Sequence, residues 1–240
     1  MSSTAQCQED LSQRLQRVRG QIAEALARAG REPNDANLVA VSKTHSAETI
    51  REAIAAGVKD LGENRVQEAE AKIPDVGRNA AKWHLIGHLQ SNKARRAAEL
   101  FDVIHSLDSV ALARRLNRVC DELNRELLPV LIQVDLGHEQ TKSGVKESAL
   151  PELVEVLNQS GRLRLIGLMT LPPFFDEPER VRPYFHRLRE LRDELRAQGA
   201  FGNTRGELSM GMTHDFEVAI EEGATEIRIG TALFGERRKA

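Results

Sequence analysis

The sequence predicts a single (β/α)8 barrel, and three observations carry that prediction. Eight short apolar runs recur along the 240 residues. Helical patterns lie between consecutive runs, so the strands they join should be parallel. No run is followed by the G-x-G-x-x-G turn of an open dinucleotide-binding sheet, the rival arrangement. The number of runs matches closure of a barrel, and no linker or shift of composition divides the chain. One domain over 1–240 is expected, with a leading helix at about 10–29 and the barrel at about 38–235.

The leading helix is read from Leu11, Leu15, Val18, Ile22 and Leu26, which recur at helical spacing. Gly30 and Pro33 end it. The strands then follow at 38–43, 60–64, 83–87, 103–107, 129–135, 165–170, 207–211 and 226–231. The helices between them are expected at 47–56, 66–73, 91–100, 110–127, 150–159, 179–197 and 214–222. A short helical piece is expected after Phe234. The stretch TLPPFFDEP at 170–178 reads as a turn-rich loop.

Composition sets limits on function. Hydrophobic residues make up 40% and charged residues 29%, enough apolar material for a core. The formal net charge of −2 with interspersed signs gives no basic face for nucleic acid. At 4%, aromatic residues are too few for a base-stacking platform. No apolar run approaches a membrane span. The N-terminus, MSSTAQCQED, has neither the basic start nor the apolar centre of a secretory signal. Cys7 and Cys120 have no metal or redox spacing. A cytoplasmic protein, not bound to membrane or nucleic acid, is expected.

The barrel reading gives Lys43 a role. It ends the run LVAVSK, and the bland account of a lysine there is a snorkelling side chain at a strand end. In a barrel the active face lies at the C-terminal ends of the strands. Val39, Val41 and Lys43 alternate onto one strand face. If that face is inward, the amine tops the barrel, where desolvation would favour a neutral nucleophile.

Other strand ends supply companions. Ser209, Gly211, Gly230 and Thr231 follow strands seven and eight, where barrels often bind phosphate, although Gly and Thr are also ordinary turn residues. Arg228 lies between Ile227 and Ile229. If the isoleucines face the helices, its guanidinium points into the barrel and needs an acceptor. Glu226 and Glu63 are candidate ion-pair partners, and the functional alternative is an acceptor atom of a bound cofactor. His84 and His88 are four apart but lack the H-E-x-x-H pattern, so no metal site is assigned. Lys142, in the polar loop DLGHEQTKSG, could meet an anion or be solvated.

A lysine nucleophile, a phosphate cradle and a polar group facing a ring together suggest pyridoxal 5'-phosphate (PLP). AVSKTHS, LGENRVQE, WHLIGHLQSNK, TKSGV, GLMT, LSMGMTHDFEVAI and RIGTALFGER resemble the pyridoxal-phosphate homeostasis protein family. That family is similar to the N-terminal barrel of alanine racemase, a fold-type III PLP barrel. The resemblance spans about residues 10–237. It implies that Lys43 forms the Schiff base. Ser209, Gly230 and Thr231, with the backbone of Met210 and Gly211, would hold the phosphate. Arg228 would face the pyridine nitrogen, and Asn64, His84 and Met169 would line the ring pocket. The chain has Ser46 where proline is frequent, Thr213 where serine is frequent and Asp135 where asparagine is frequent; none of these removes a group the cofactor needs.

Two functions follow. One is a carrier that holds PLP for vitamin B6 homeostasis and supplies PLP-dependent apo-enzymes, acting as a monomer. The other is a racemase-like enzyme. An arginine opposite the pyridine nitrogen makes a weak electron sink. The chain also ends soon after its eighth strand, and its one tyrosine, Tyr184, falls on a helix. A two-base racemase would lack its second base, so the carrier is expected.

Overall fold

The computed structural model describes residues 9–137 and 143–235. Cys7, Lys142 and any helix beyond Gly235 lie outside the described residues. Eight parallel strands close into a barrel in sequence order. They are β1 (Asn37–Val41), β2 (Asp60–Glu63), β3 (Lys82–Leu85), β4 (Val103–Leu107), β5 (Leu128–Gln133), β6 (Leu163–Met169), β7 (Glu207–Ser209) and β8 (Glu226–Ile229). β8 returns to β1 with Val39 opposite Arg228, closing the cylinder.

Helices form where the apolar spacing placed them. α1 (Leu11–Arg28) precedes the barrel and buries Leu15, Val18 and Leu26. Asp10 caps its first turn, and Gln13 bonds back in a capping box. α2 (Ala47–Ala55) starts from Ser46, whose hydroxyl accepts from the Thr49 N–H. α3 (Val66–Val76), α4 (Ala94–Leu100), α5 (Val110–Glu122), α6 (Leu150–Asn158), α7 (Arg182–Ala197) and α8 (Phe216–Glu221) fill the later crossovers.

Several boundaries shift by a few residues, and three of the differences have a local reason. α5 stops at Glu122 because Asn124 takes a left-handed φ of 50°, which breaks the helix before Leu127. The stretch 178–181 winds as a 3-10 turn before α7. β8 ends at Ile229, and the chain turns at Gly230 into a four-residue helix, α9 (Thr231–Phe234). The expected strand residues Gly230 and Thr231 are therefore a strand-to-helix turn.

Alternation sorts the strand residues onto two faces. Outward side chains, Ala40, Leu61, Trp83, Ile104, Ile132, Leu168 and Ile229 among them, join the main core under the helices. Inward, Val103, Leu131 and Met169 form a separate small apolar cluster. The interior also holds a polar set: Asp60, His84, His105, Ser209 and Arg228 are all buried.

Glu63 faces outward and does not meet Arg228. One carboxylate oxygen accepts from Ser42 Oγ at 2.8 Å and Lys72 Nζ at 2.9 Å, while the other has no partner among the described residues. Burial pushes the Glu63 carboxyl up, and Lys72 only partly offsets this. Protonation of Glu63 therefore favours the fold at low pH, and that contribution is lost as pH rises through its raised pKa. Lys72→Met should destabilise the fold by about 3–5 kcal/mol at neutral pH, because it leaves a buried charge uncompensated. The deficit should shrink on acidification from neutral pH toward the ordinary carboxylate range, as Glu63 protonates. Denaturant unfolding of both proteins across that range measures it; a deficit that is constant or grows on acidification contradicts the assignment.

Candidate cofactor site

A cavity of about 320 Å³ opens at the C-terminal mouth of the barrel. Its wall draws on the turns after β1, β2, β3, β6, β7 and β8. Lys43, Asn64, Arg228, Gly230 and Thr231 all reach it. β1 delivers Lys43: Val39 and Val41 face inward, against the site of a Gly62 Cβ and against Gly230 respectively, and Lys43 continues that face past the strand end. It is half-buried, and its ammonium has no acceptor among the described residues. The next residue, Thr44, adopts a left-handed φ of 66°, and Glu68 Oε2 accepts its N–H at 3.1 Å. A non-glycine residue held there costs on the order of 1 kcal/mol or more, strain that collects at functional sites.

Arg228 forms the cavity floor. It is buried, and no carboxylate among the described residues bonds it. Nη1 donates to Ser209 Oγ at 2.6 Å and Nη2 donates to the Thr170 carbonyl at 2.9 Å. The expected ion pair with Glu226 is absent: that side chain instead accepts from Asn37 Nδ2 at 3.3 Å. Burial pulls the guanidinium down to about 10, with Asp215 and Glu226 acting against the fall from a distance. Arg228 thus stays a cation at neutral pH with N–H donors to spare.

Glycine shapes the surrounding turns. Gly211 has a φ of 91°, and a Cβ there would sit 2.6 Å from the Ala219 Cβ, so the chain can turn close over α8 only with glycine. A Cβ on Gly87 would fall 2.2 Å from the Asn64 carbonyl oxygen. After β7 the chain folds back as Asp215 Oδ1 accepts the Met212 N–H at 2.6 Å. This brings Thr213 onto the cavity wall, where its Oγ1 accepts the Ala232 N–H at 3.4 Å. Burial pushes the Asp215 carboxyl up, opposed by the Met212 N–H and by Arg228.

The remaining expected site residues lie elsewhere. Ser209, Met210 and Gly211 sit beneath or behind the wall, and the Ser209 hydroxyl is committed to Arg228 and His105. His84 is sealed inside the barrel between His105 and Asp60. Met169 packs against Val103 and Leu131, and Leu171, two residues on, is the one that reaches the wall. His88 lies apart from His84, at 3.2 Å from Asp108. Among the described residues no group of three His, Cys, Asp or Glu side chains is placed to hold a metal. Thr213, His45, Phe174 and Met212 also line the wall. Of these, the sequence singles out Thr213 alone; His45 and Met212 lie in the motifs AVSKTHS and LSMGMTHDFEVAI with no role assigned to them.

The cavity is of a size for a small cofactor, with an amine that has no acceptor among the described residues at one side, a buried cation below and hydroxyls near a helix start. The family model of the alanine racemase N-terminal domain matches residues 14–238. Fold and match together define a barrel of the fold-type III PLP class. An alanine racemase of Clostridium difficile superposes with a TM-score of 0.72 over 97% of this chain and 58% of that one; at 18% identity this speaks for the fold alone. Nearer relatives narrow the class. The pyridoxal phosphate homeostasis protein of Aquifex aeolicus is 48% identical over 226 residues, 94% of this chain and 98% of the relative. That of Escherichia coli strain K12 is 43% identical, covering 95% and 97%. PipY of Synechococcus elongatus, solved with PLP bound, is 43% identical and has a TM-score of 0.74 over 89% of this chain and all of that one. The chain belongs to the pyridoxal phosphate homeostasis protein family. Among the described residues no helix is long and apolar enough to cross a membrane.

Proposed function

We propose that the cavity binds PLP, and that the protein holds the cofactor for vitamin B6 homeostasis, supplying it to apo-enzymes as a monomer. The observation that carries the reading is the pairing, across one cavity, of a Lys43 amine with a buried Arg228, neither bonded to a carboxylate among the described residues. PipY, a structural relative, was solved with PLP bound. When bound, PLP supplies an aldehyde that condenses with amines and a ring that accepts electrons.

The residues divide the work. Lys43 Nζ would hold the aldehyde end of the cofactor covalently. Arg228 would donate to the ring nitrogen, which favours its unprotonated form. Thr213, Thr231 and the backbone at Gly230 meet the phosphate, with Met210 and Gly211 shaping the turn behind. Asn64 flanks the ring. Ser209, His84 and Met169 act from beneath, through Arg228 and through packing.

The link to Lys43 is tested by reducing the loaded protein with borohydride and mapping the modified peptide. The expected result is one modified lysine, Lys43, and no adduct in Lys43→Ala; an adduct on another lysine in both proteins refutes it. For the phosphate, Thr213→Ala and Thr231→Ala should each lose about 1.5–3 kcal/mol of binding, roughly ten- to a hundredfold in affinity. The loss should be confined to PLP and spare unphosphorylated pyridoxal. Equal losses for both ligands place these hydroxyls away from the phosphate.

The racemase-like alternative needs a second acid–base group. Tyr184 stacks on Phe175 with ring centroids 5.9 Å apart and is not on the cavity wall. His214 is on the wall, with Nε2 at 3.0 Å from the Asp176 carbonyl. Exchange of the alanine Cα proton in D2O discriminates the readings. A carrier should exchange no faster than free PLP, whereas turnover on the order of 1–1000 per second establishes an enzyme.

A further inference from the structure

A continuous line of buried hydrogen bonds runs through the barrel from the cavity floor to the start of β2. Arg228 Nη1 lies 2.6 Å from Ser209 Oγ, and Ser209 Oγ lies 2.8 Å from His105 Nδ1. His105 Nε2 lies 2.8 Å from His84 Nδ1, and His84 Nε2 lies 2.9 Å from Asp60 Oδ1. Five side chains from β2, β3, β4, β7 and β8 thus join one file, and both histidines are fully buried.

The direction of that file follows from its two ends. A guanidinium only donates, and a carboxylate only accepts. Ser209 Oγ accepts from Arg228, so its own proton has one acceptor among the described residues, His105 Nδ1. A neutral imidazole that accepts on Nδ1 carries its proton on Nε2. His105 therefore donates to His84 Nδ1, and His84 donates from Nε2 to Asp60. Every donor finds an acceptor without a charge on either ring. Burial, with His84 and Arg228 nearby, holds His105 well below its usual range and so neutral. At the far end, burial alone would raise the Asp60 carboxyl, but His84 and Lys82 bring it below the usual carboxylate range. Lys82 Nζ stands 3.9 Å away and half exposed, so the anion sits at the opposite mouth of the barrel.

We infer that Asp60, His84 and His105 are positioning residues for cofactor binding: a one-way relay that polarises Ser209 and through it fixes the Arg228 guanidinium beneath the ring nitrogen. Hydrogen bonds in such a chain strengthen one another. The hydroxyl of Ser209, donating toward an anion, is a better acceptor for the arginine than an isolated serine. Arg228 then keeps its charge and its aim where no carboxylate among the described residues bonds it. This rests on the reading that Arg228 faces the PLP ring nitrogen, but it concerns residues that do not reach the cavity.

Two measurements test it. The first uses the protein alone: 15N-detected NMR of the imidazoles should find His84 and His105 both neutral and both protonated on Nε2. A protonated ring, or a proton on Nδ1 of either, overturns the relay whether or not any variant folds. The second compares PLP with its analogue in which CH replaces the ring nitrogen, in binding to the full-length wild type, Asp60→Asn and His105→Leu, with retained folding checked by circular dichroism. Wild type should prefer PLP at least tenfold, and each folded variant should lose at least threefold of that preference while binding the analogue as wild type does. No preference in wild type refutes the Arg228 reading itself. A wild-type preference kept whole in the variants leaves that reading standing and refutes the relay.

Discussion

Burying the Arg228 guanidinium is the constraint around which the barrel interior is arranged. An isolated cation in a low-dielectric interior is costly, and the usual remedy is a carboxylate in contact. Here the contacts are a hydroxyl and a backbone carbonyl, Ser209 Oγ and the Thr170 oxygen. The carboxylates that stabilise it, Asp215 and Glu226, act without bonding to it. Such a cation retains unspent donors. A carboxylate clamped across the guanidinium would have taken them, and the floor of the cavity would have no donor left to offer a ligand.

The neighbouring elements can be understood from that requirement. Strands β7 and β8 carry Ser209 and Arg228 on the inward face, and the outward residues Leu208, Ile227 and Ile229 pay for burial under the helices. The other half of the interior is dry, closed by Val103, Leu131 and Met169. A polar file and an apolar cluster thus share one barrel. Along the file from Arg228 to Asp60 each polar side chain bonds the next, which is the condition under which buried polar networks specify a structure instead of weakening it.

The mouth of the barrel uses backbone as much as side chain. Gly87 and Gly211 let the chain pass where a Cβ would strike the Asn64 carbonyl or Ala219. Thr44 accepts a left-handed conformation directly after Lys43. These positions fix where the functional side chains of the turns emerge, and they do so without touching the cavity chemistry themselves. The outer pair of Glu63 and Lys72 braces the same region from behind, tying the end of β2 and the carbonyl of Ser42 to α3.

Sequence by itself determined the barrel, because the evidence for it is local: apolar alternation for strands, spacing of three and four for helices, and a count that closes. It also determined Lys43, since a lysine ending an apolar inward face at a strand tip is set by the period of the strand alone. Arg228 was legible as inward-facing for the same reason, flanked as it is by Ile227 and Ile229. What it contacts was not. Glu226 and Glu63 were reasonable partners by charge, but Glu63 belongs to the outward face, and the Ser209–His105–His84–Asp60 file joins residues from four strands that no spacing rule connects. Tertiary structure alone decided that Thr213 reaches the cavity while Ser209 serves Arg228 from below, and that His84 and Met169 lie under the site instead of around it. The physical reason is depth. Alternation tells which way a side chain points, but how far along the barrel axis it sits depends on strand tilt and on the register of all eight strands together.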